Sequence, residues 1–116
     1  MDIVESYQGQ TGILTLSGRL DASGAPALSP RAIALCDTGI RALLIDLQQV
    51  EYLTSAGFRA LIAIKRHAEQ ASIATALCGL NEIVSDLFQV SGLLGSFRVY
   101  SDSAAALATV AEPDPT

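Results

Sequence analysis

The chain has 116 residues, half of them hydrophobic and 16% charged, with few aromatics and no tryptophan, which suits one domain with an aliphatic core and excludes a disordered chain. The net charge is −5 and the seven Lys and Arg are scattered, so no basic cluster is present to hold nucleic-acid phosphates or anionic lipid, and neither nucleic acid nor membrane is an expected partner. No apolar run reaches the roughly 20 residues of a membrane span, and Met1 to Glu5 lacks the basic and apolar regions of a signal peptide, which predicts a cytoplasmic protein.

Ile3 to Tyr7 alternates apolar and polar residues and predicts a half-buried strand. Gln8-Gly9-Gln10 is a turn, and Thr11 to Leu16 is a second strand, with Ile13 and Leu14 available to the core. The short connection makes the two an antiparallel hairpin. From Ser17 the chain leaves the strand for a loop, Asp21-Ala22-Ser23-Gly24. A helix then runs to about Asp37 and stops at Thr38-Gly39. Two starts are open: Pro26 as first residue, with Pro30 removing an early backbone bond, or Ser29 as cap with Pro30 in the first position.

Ala42-Leu43-Leu44-Ile45-Asp46 is a continuous apolar run closed by a carboxylate, the pattern of a strand buried on both faces. Val50 to Leu53 reads as a short extended approach to the next helix. That helix, Ser55 to about Gln70, is the clearest in the chain. Ile73 to Cys78 is another buried strand. Asn81 predicts an N-cap for a helix through Ser91, ended by Gly92. Phe97 to Tyr100 is a last strand, and Ser101 or Ser103 caps a final helix of Ala104 to Val110. Glu112 to Thr116 is a frayed tail. The expected organisation is one α/β domain over residues 1–111 and a tail over 112–116. It opens with the hairpin and continues as a mixed, mostly parallel sheet of four to five strands flanked by about four helices.

At 100° per residue, Gly57, Leu61, Ile64 and Ala68 share the sheet-facing side of the central helix. Ser55, Arg59, Ile62 and Arg66 form a second stripe, readable as solvated surface or as a contact surface with Ile62 as its apolar anchor. Thr54 or Ser55 suits the N-cap, because a hydroxyl can accept from an early helix N–H. The same helix end carries free donors and partial positive charge, so it tolerates a phosphate, and Arg59 one turn on could reach its oxygens. A phosphoryl group on Ser55 would add about −1.5 to −2 charge to the stripe and repel a partner without unfolding the domain.

Catalytic motifs are missing. There is no GxxxxGKS or GxxxxGKT loop, no GxGxxG after a strand and no GxSxG elbow. The one histidine, His67, reads as an exposed helix residue. It stands twelve positions from Ser55, about 18 Å of helical rise, too far for a Ser-His pair. Cys36 and Cys78 read as buried free thiols, and with His67 they are too few for a metal site unless carboxylates help, so the chain is expected to be a non-enzyme without metal or cofactor.

Four pieces in order, Gly18-Arg19-Leu20-Asp21, Leu44-Ile45-Asp46-Leu47, Val50 to Phe58, and Ser91-Gly92-Leu93 followed by Phe97 to Tyr100 and an Ala-rich helix, resemble the STAS family, in particular bacterial anti-sigma factor antagonists. The resemblance implies a phosphorylatable serine two residues before Gly57, which is Ser55. It implies as partners an anti-sigma serine kinase of the histidine-kinase-like ATPase fold, captured by the unphosphorylated form, and a metal-dependent serine phosphatase. A second reading it allows is a subunit that binds an ATPase or scaffold complex, of lipid-transport or stressosome type, without phosphorylation. The family often has Asp before the acceptor, where this chain has Thr54. The expected partner-binding residues are Asp21, Ser23, Thr54, Ser55, Arg59, Ile62 and Arg66. Asp21 and Asp46 are both expected at strand ends near Ser55.

Overall fold

The structure, a computed structural model, describes residues 1–92, 95 and 97–109. Among them the order is β1 (Asp2–Gln8), β2 (Thr11–Leu20), α1 (Ala25–Cys36), β3 (Ala42–Leu53), α2 (Ser55–Gln70), β4 (Ala74–Cys78), α3 (Glu82–Ser91), β5 (Arg98–Tyr100) and α4 (Ser103–Thr109). The strands form one five-stranded sheet in chain order, β1-β2-β3-β4-β5. Only β1 and β2 are antiparallel, joined by the Gly9-Gln10 turn; the other neighbours are parallel. The expected mixed sheet with an opening hairpin and four helices is the observed one. The expected tail at 112–116, the last helix's end at Val110 and Leu93 lie outside the described residues.

Each parallel step moves one strand along the sheet in the same direction. Crossovers of one hand then put their helices on one face, and α1, α2 and α3 do share a face. Their apolar residues, Leu28, Leu35, Leu61, Ile64 and Phe88 among them, close the main core over Leu14, Leu16, Ile45 and Leu77. On the opposite face α4 covers a smaller cluster of Ala42, Leu44, Ala76 and Cys78. The run Ala42 to Ile45 is therefore sealed on both sides, as its unbroken apolar character predicts.

Several expectations are corrected. β1 is not half-buried: Val4 and Tyr7 are exposed and only Ile3 packs on the core, because β1 is an edge strand that the helices do not cover. β2 does not end at Leu16 but continues to Leu20. Val50 to Leu53 is not a separate approach but the end of a twelve-residue β3. Simple alternation hid this, since Leu47, Val50 and Leu53 repeat every third residue. Two irregularities in the β2–β3 register, where β3 carries the extra residue, put all three on the main core.

The open choice at α1 resolves to the earlier start: Gly24 is the cap position, Pro26 lies in the first turn and Pro30 is inside the helix. For α3 the expected ends are both present, Asn81 as cap and Gly92 as terminator. Gly92 has φ +75°, the left-handed region where a side chain is strained. The last helix is capped by neither serine; Asp102 Oδ1 accepts from the Ala105 N–H at 2.8 Å. No helix among the described residues is long and apolar enough to cross a membrane.

Candidate functional site

β2 ends at Leu20, and Asp21 turns the chain toward α1. Its Oδ1 accepts three hydrogen bonds, from the Ser23 N–H at 3.0 Å, the Ser23 hydroxyl at 2.7 Å and the Gly24 N–H at 3.0 Å. Its backbone carbonyl also accepts from the Ala25 N–H at 2.8 Å. Donors from one loop thus converge on one carboxylate oxygen. The Ser23 hydroxyl, then the Gly24 N–H, hold the Asp21 carboxyl below its ordinary range, because they favour the charged form. The loop carries its own internal brace.

β3 delivers the second half of the site. The Thr54 N–H donates to the Leu20 carbonyl at 3.1 Å, tying the end of β3 to the end of β2. One turn into α2, Gly57 lies against the same carbonyl. A Cβ at Gly57 would stand 2.4 Å from the Leu20 oxygen and 2.9 Å from Leu20 Cγ. Only a residue without a side chain lets the first turn of α2 sit this low on the sheet. That close approach sets Ser55 beside the Asp21 loop, although the two lie far apart in sequence.

The result is a shallow, open cleft whose walls include Asp21, Ser23, Tyr52, Thr54, Ser55 and Arg59. Ser55 is exposed, and its hydroxyl makes no hydrogen bond to any described residue. Thr54 occupies the cap position in extended conformation, but no side chain caps α2, and the Thr54 hydroxyl oxygen is buried without a partner. The expectation that Thr54 or Ser55 caps through its hydroxyl is therefore corrected: the Thr54 oxygen is sealed off and that of Ser55 is turned to solvent. Of two adjacent hydroxyls, only Ser55 is open to an incoming reagent.

Arg59 is exposed one turn above Ser55 and pairs with no carboxylate among the described residues. Ile62 and Arg66 continue the stripe along α2 but do not line the cleft. Ile62 is half-buried, leaning on the main core, and Arg66 is exposed. Asp46 is a correction. It sits opposite Cys78 in the β3–β4 register, in step with Ala42 and Leu44 of the α4 face, and accepts from the Gln48 N–H at 3.0 Å; it is no wall of the cleft. β3 runs on past Asp46 to Leu53, so the strand end near Ser55 belongs to Leu53 instead.

His67 is half-buried rather than exposed. Cys36 and Cys78 are buried free thiols, as expected. Burial, with Asp46 nearby, pushes the Cys78 thiol up to about 12, so at neutral pH it is no nucleophile. Among the described residues no group of three or more His, Cys, Asp or Glu is placed to hold a metal ion.

Sequence reasoning missed Tyr52 and Arg19. They are neighbours across the β2–β3 register, with the Arg19 guanidinium 5.4 Å from the centre of the Tyr52 ring and its Nε 3.4 Å from Glu51. Tyr52 lines the cleft, and Arg19 stacks on it from outside the lining. The pair's only signal was an aromatic in an otherwise aromatic-poor chain, and the pairing depends on a register that local patterns do not give.

Comparison with known proteins gives a consistent set of relatives. The STAS domain family model matches residues 3–106. A relative named as an anti-sigma factor antagonist, BtrV of Bordetella bronchiseptica, is 31% identical over 96 residues, 83% of either chain. A solved anti-sigma factor antagonist from Mycobacterium paratuberculosis superposes with a TM-score of 0.86 at 24% identity, covering 96% of this chain and 94% of that one. The antagonist SpoIIAA, solved in its unphosphorylated form, gives a TM-score of 0.79 at 16% identity, covering 97% of this chain and all of that one. At these identities the two structures show likeness of fold.

Proposed function

The chain belongs to the STAS domain family and to its anti-sigma factor antagonists, a regulatory rather than enzymatic kind, and from that premise we propose that it is a protein-binding switch thrown at Ser55. Unphosphorylated, it captures an anti-sigma serine kinase of the histidine-kinase-like ATPase fold in the cytoplasm and so releases a sigma factor. The kinase phosphorylates Ser55, the complex dissociates, and a serine phosphatase restores the binding form.

The observation that carries this reading is the exposed, unbonded Ser55 hydroxyl at an uncapped helix start, inside a cleft with Asp21, Ser23 and Arg59. The first N–H groups of α2 have no side-chain acceptor, so a phosphoryl group meets donors and partial positive charge where it forms. Arg59, which pairs with no carboxylate among the described residues, adds a cation. The fold has nothing to rearrange, and the change lies in the surface: about −1.5 to −2 charge where an uncharged hydroxyl stood. A partner shaped for the hydroxyl then meets a strongly hydrated dianion and is repelled. Ile62 and Arg66 extend the docking surface along α2. The shared fold with an antagonist described in an unphosphorylated form supports the same cycle.

The test is incubation with the cognate kinase and ATP. Mass spectrometry should find one phosphoryl group on Ser55, none on Thr54, and none anywhere in Ser55→Ala. Ser55→Asp should keep the wild-type circular dichroism and lose kinase binding. A chain that binds an ATPase tightly yet stays unmodified would instead support the scaffold reading, in which Thr54 supplies no carboxylate at the position preceding the serine.

A further inference from the structure

Along its own helix, Arg59 has four side-chain neighbours, one turn before it and one turn after: Ser55, Ala56, Ile62 and Ala63. None is an acid. The one glutamate of α2, Glu69, lies well beyond them and bonds Lys65. Asp21 also lines the cleft, but its Oδ1 is taken by Ser23 and Gly24, and it forms no ion pair with Arg59. Arg19, Arg31 and Lys65 each pair with a glutamate; exposed Arg59 pairs with no described residue and keeps its guanidinium donors open to the cleft.

That position has two uses, one for each state of Ser55. While Ser55 is a hydroxyl, Arg59 is available to a partner. An exposed arginine in a concave site is a residue type that anchors interfaces, and its best counterpart is a carboxylate, which it takes in a two-point grip. Once Ser55 carries a phosphoryl group, an anion stands within Arg59's own reach. Of the four neighbours, Ser55 alone has a group that can become one. Helical side chains lean toward the helix N-terminus, so Arg59 leans over the turn that holds Ser55. Their spacing puts the two Cβ atoms about 5–6 Å apart. A guanidinium–phosphate pair within one helix forms without the loss of freedom that docking a second molecule entails.

On the reading of Ser55 as the acceptor, we propose that Arg59 is shared between partner and switch: it holds a carboxylate of the docked kinase while Ser55 is free, and turns to the phosphate once Ser55 is modified. Phosphorylation then withdraws an attraction as well as adding a repulsion. The partner surface that fits this cleft carries an Asp or Glu opposite Arg59.

Two measurements test this. The first needs no kinase. Phosphoserine is incorporated in place of Ser55 during synthesis of the full chain, and phosphorus-31 NMR follows the phosphate through its second ionisation, near pH 6. Arg59→Gln should raise that midpoint by about 0.3 pH, the size expected of an exposed pair one helical turn apart. Asp21 faces the cleft in both chains alike. Arg41→Gln removes the same charge just before the other end of β3 and should leave the midpoint in place. The second is binding to the cognate kinase without ATP. Unmodified Arg59→Gln, with wild-type circular dichroism, should bind about tenfold more weakly than wild type, while the phosphorylated forms bind equally weakly. A midpoint that Arg59→Gln does not move, or an unmodified Arg59→Gln that binds as tightly as wild type, overturns the proposal and leaves Ser55 as the acceptor. A kinase that binds yet never modifies Ser55 overturns the acceptor reading and the proposal together.

Discussion

Helices α2 and α3 start on the same face of the same sheet and close their first turns in opposite ways. At α3, Asn81 Oδ1 accepts from the Val84 N–H at 2.8 Å while its amide donates to the Val50 carbonyl at 2.9 Å, and Glu82 places negative charge in the first turn. The helix is capped, anchored to β3 and electrostatically complemented. At α2 none of this is done: no side chain caps it, no acid lies in the first turn, and the cap-position hydroxyl is buried and idle. What holds α2 in place is steric, the seating of Gly57 on the Leu20 carbonyl and the Thr54 N–H bond to it. A helix end that is capped and charged by its own side chains offers less to an anionic ligand. One held from below keeps its donors for whatever arrives.

Five substitutions break or sharpen that contrast. The largest effect is expected at Gly57. Ala gains about 1 kcal/mol of helix propensity over Gly, but a Cβ 2.4 Å from a backbone oxygen must lift the helix. Gly57→Ala should lose about 2–3 kcal/mol net in urea unfolding, and a stabilised variant would refute the steric seat. Asn81→Ala removes the α3 cap and its β3 anchor together, and should lower stability by about 1–2 kcal/mol, seen as a lower urea midpoint with unchanged slope.

Asp21→Asn probes the loop beside α2 through pH. The folded carboxyl is depressed, so its contribution is present above the unfolded value of about 4 and disappears as pH falls through the folded value below that. The gap between wild type and variant should be constant near neutrality and close in acid. A gap that persists in acid would mean the loop is braced otherwise. Thr54→Val, which would damage an ordinary cap, should gain about 0.5–1 kcal/mol here by removing an unpaired buried hydroxyl. Smallest of all, Ser55→Asp should raise the melting temperature slightly, worth about 0.5 kcal/mol and screened by salt, because it supplies the charge the bare α2 terminus lacks.

Much of the architecture was readable residue by residue. Gly57, Leu61, Ile64 and Ala68 announced the buried face of α2, and all four are buried. Asn81 and Gly92 bounded α3 because caps act within one turn. The unbroken apolar run from Ala42 announced a strand covered twice. The misread segments were those whose pattern is set by a neighbour. β3 looked like two pieces because its register against β2 slips twice, and β1 looked half-buried because alternation does not say whether a helix will cover it.

The candidate site divides the same way. Residue types and spacing singled out Ser55 and Arg59, while the family resemblance added Asp21 and made Ser55 the expected phosphoryl acceptor. They could not decide that Thr54 is sealed while Ser55 is open, that Asp46 faces away, or that Arg19 stacks on Tyr52. Periodicity, caps and turns are written in the chain because they act between residues a few positions apart. The cleft exists only because the Leu20 carbonyl meets Thr54 and Gly57, a contact between distant segments that packing alone brings about.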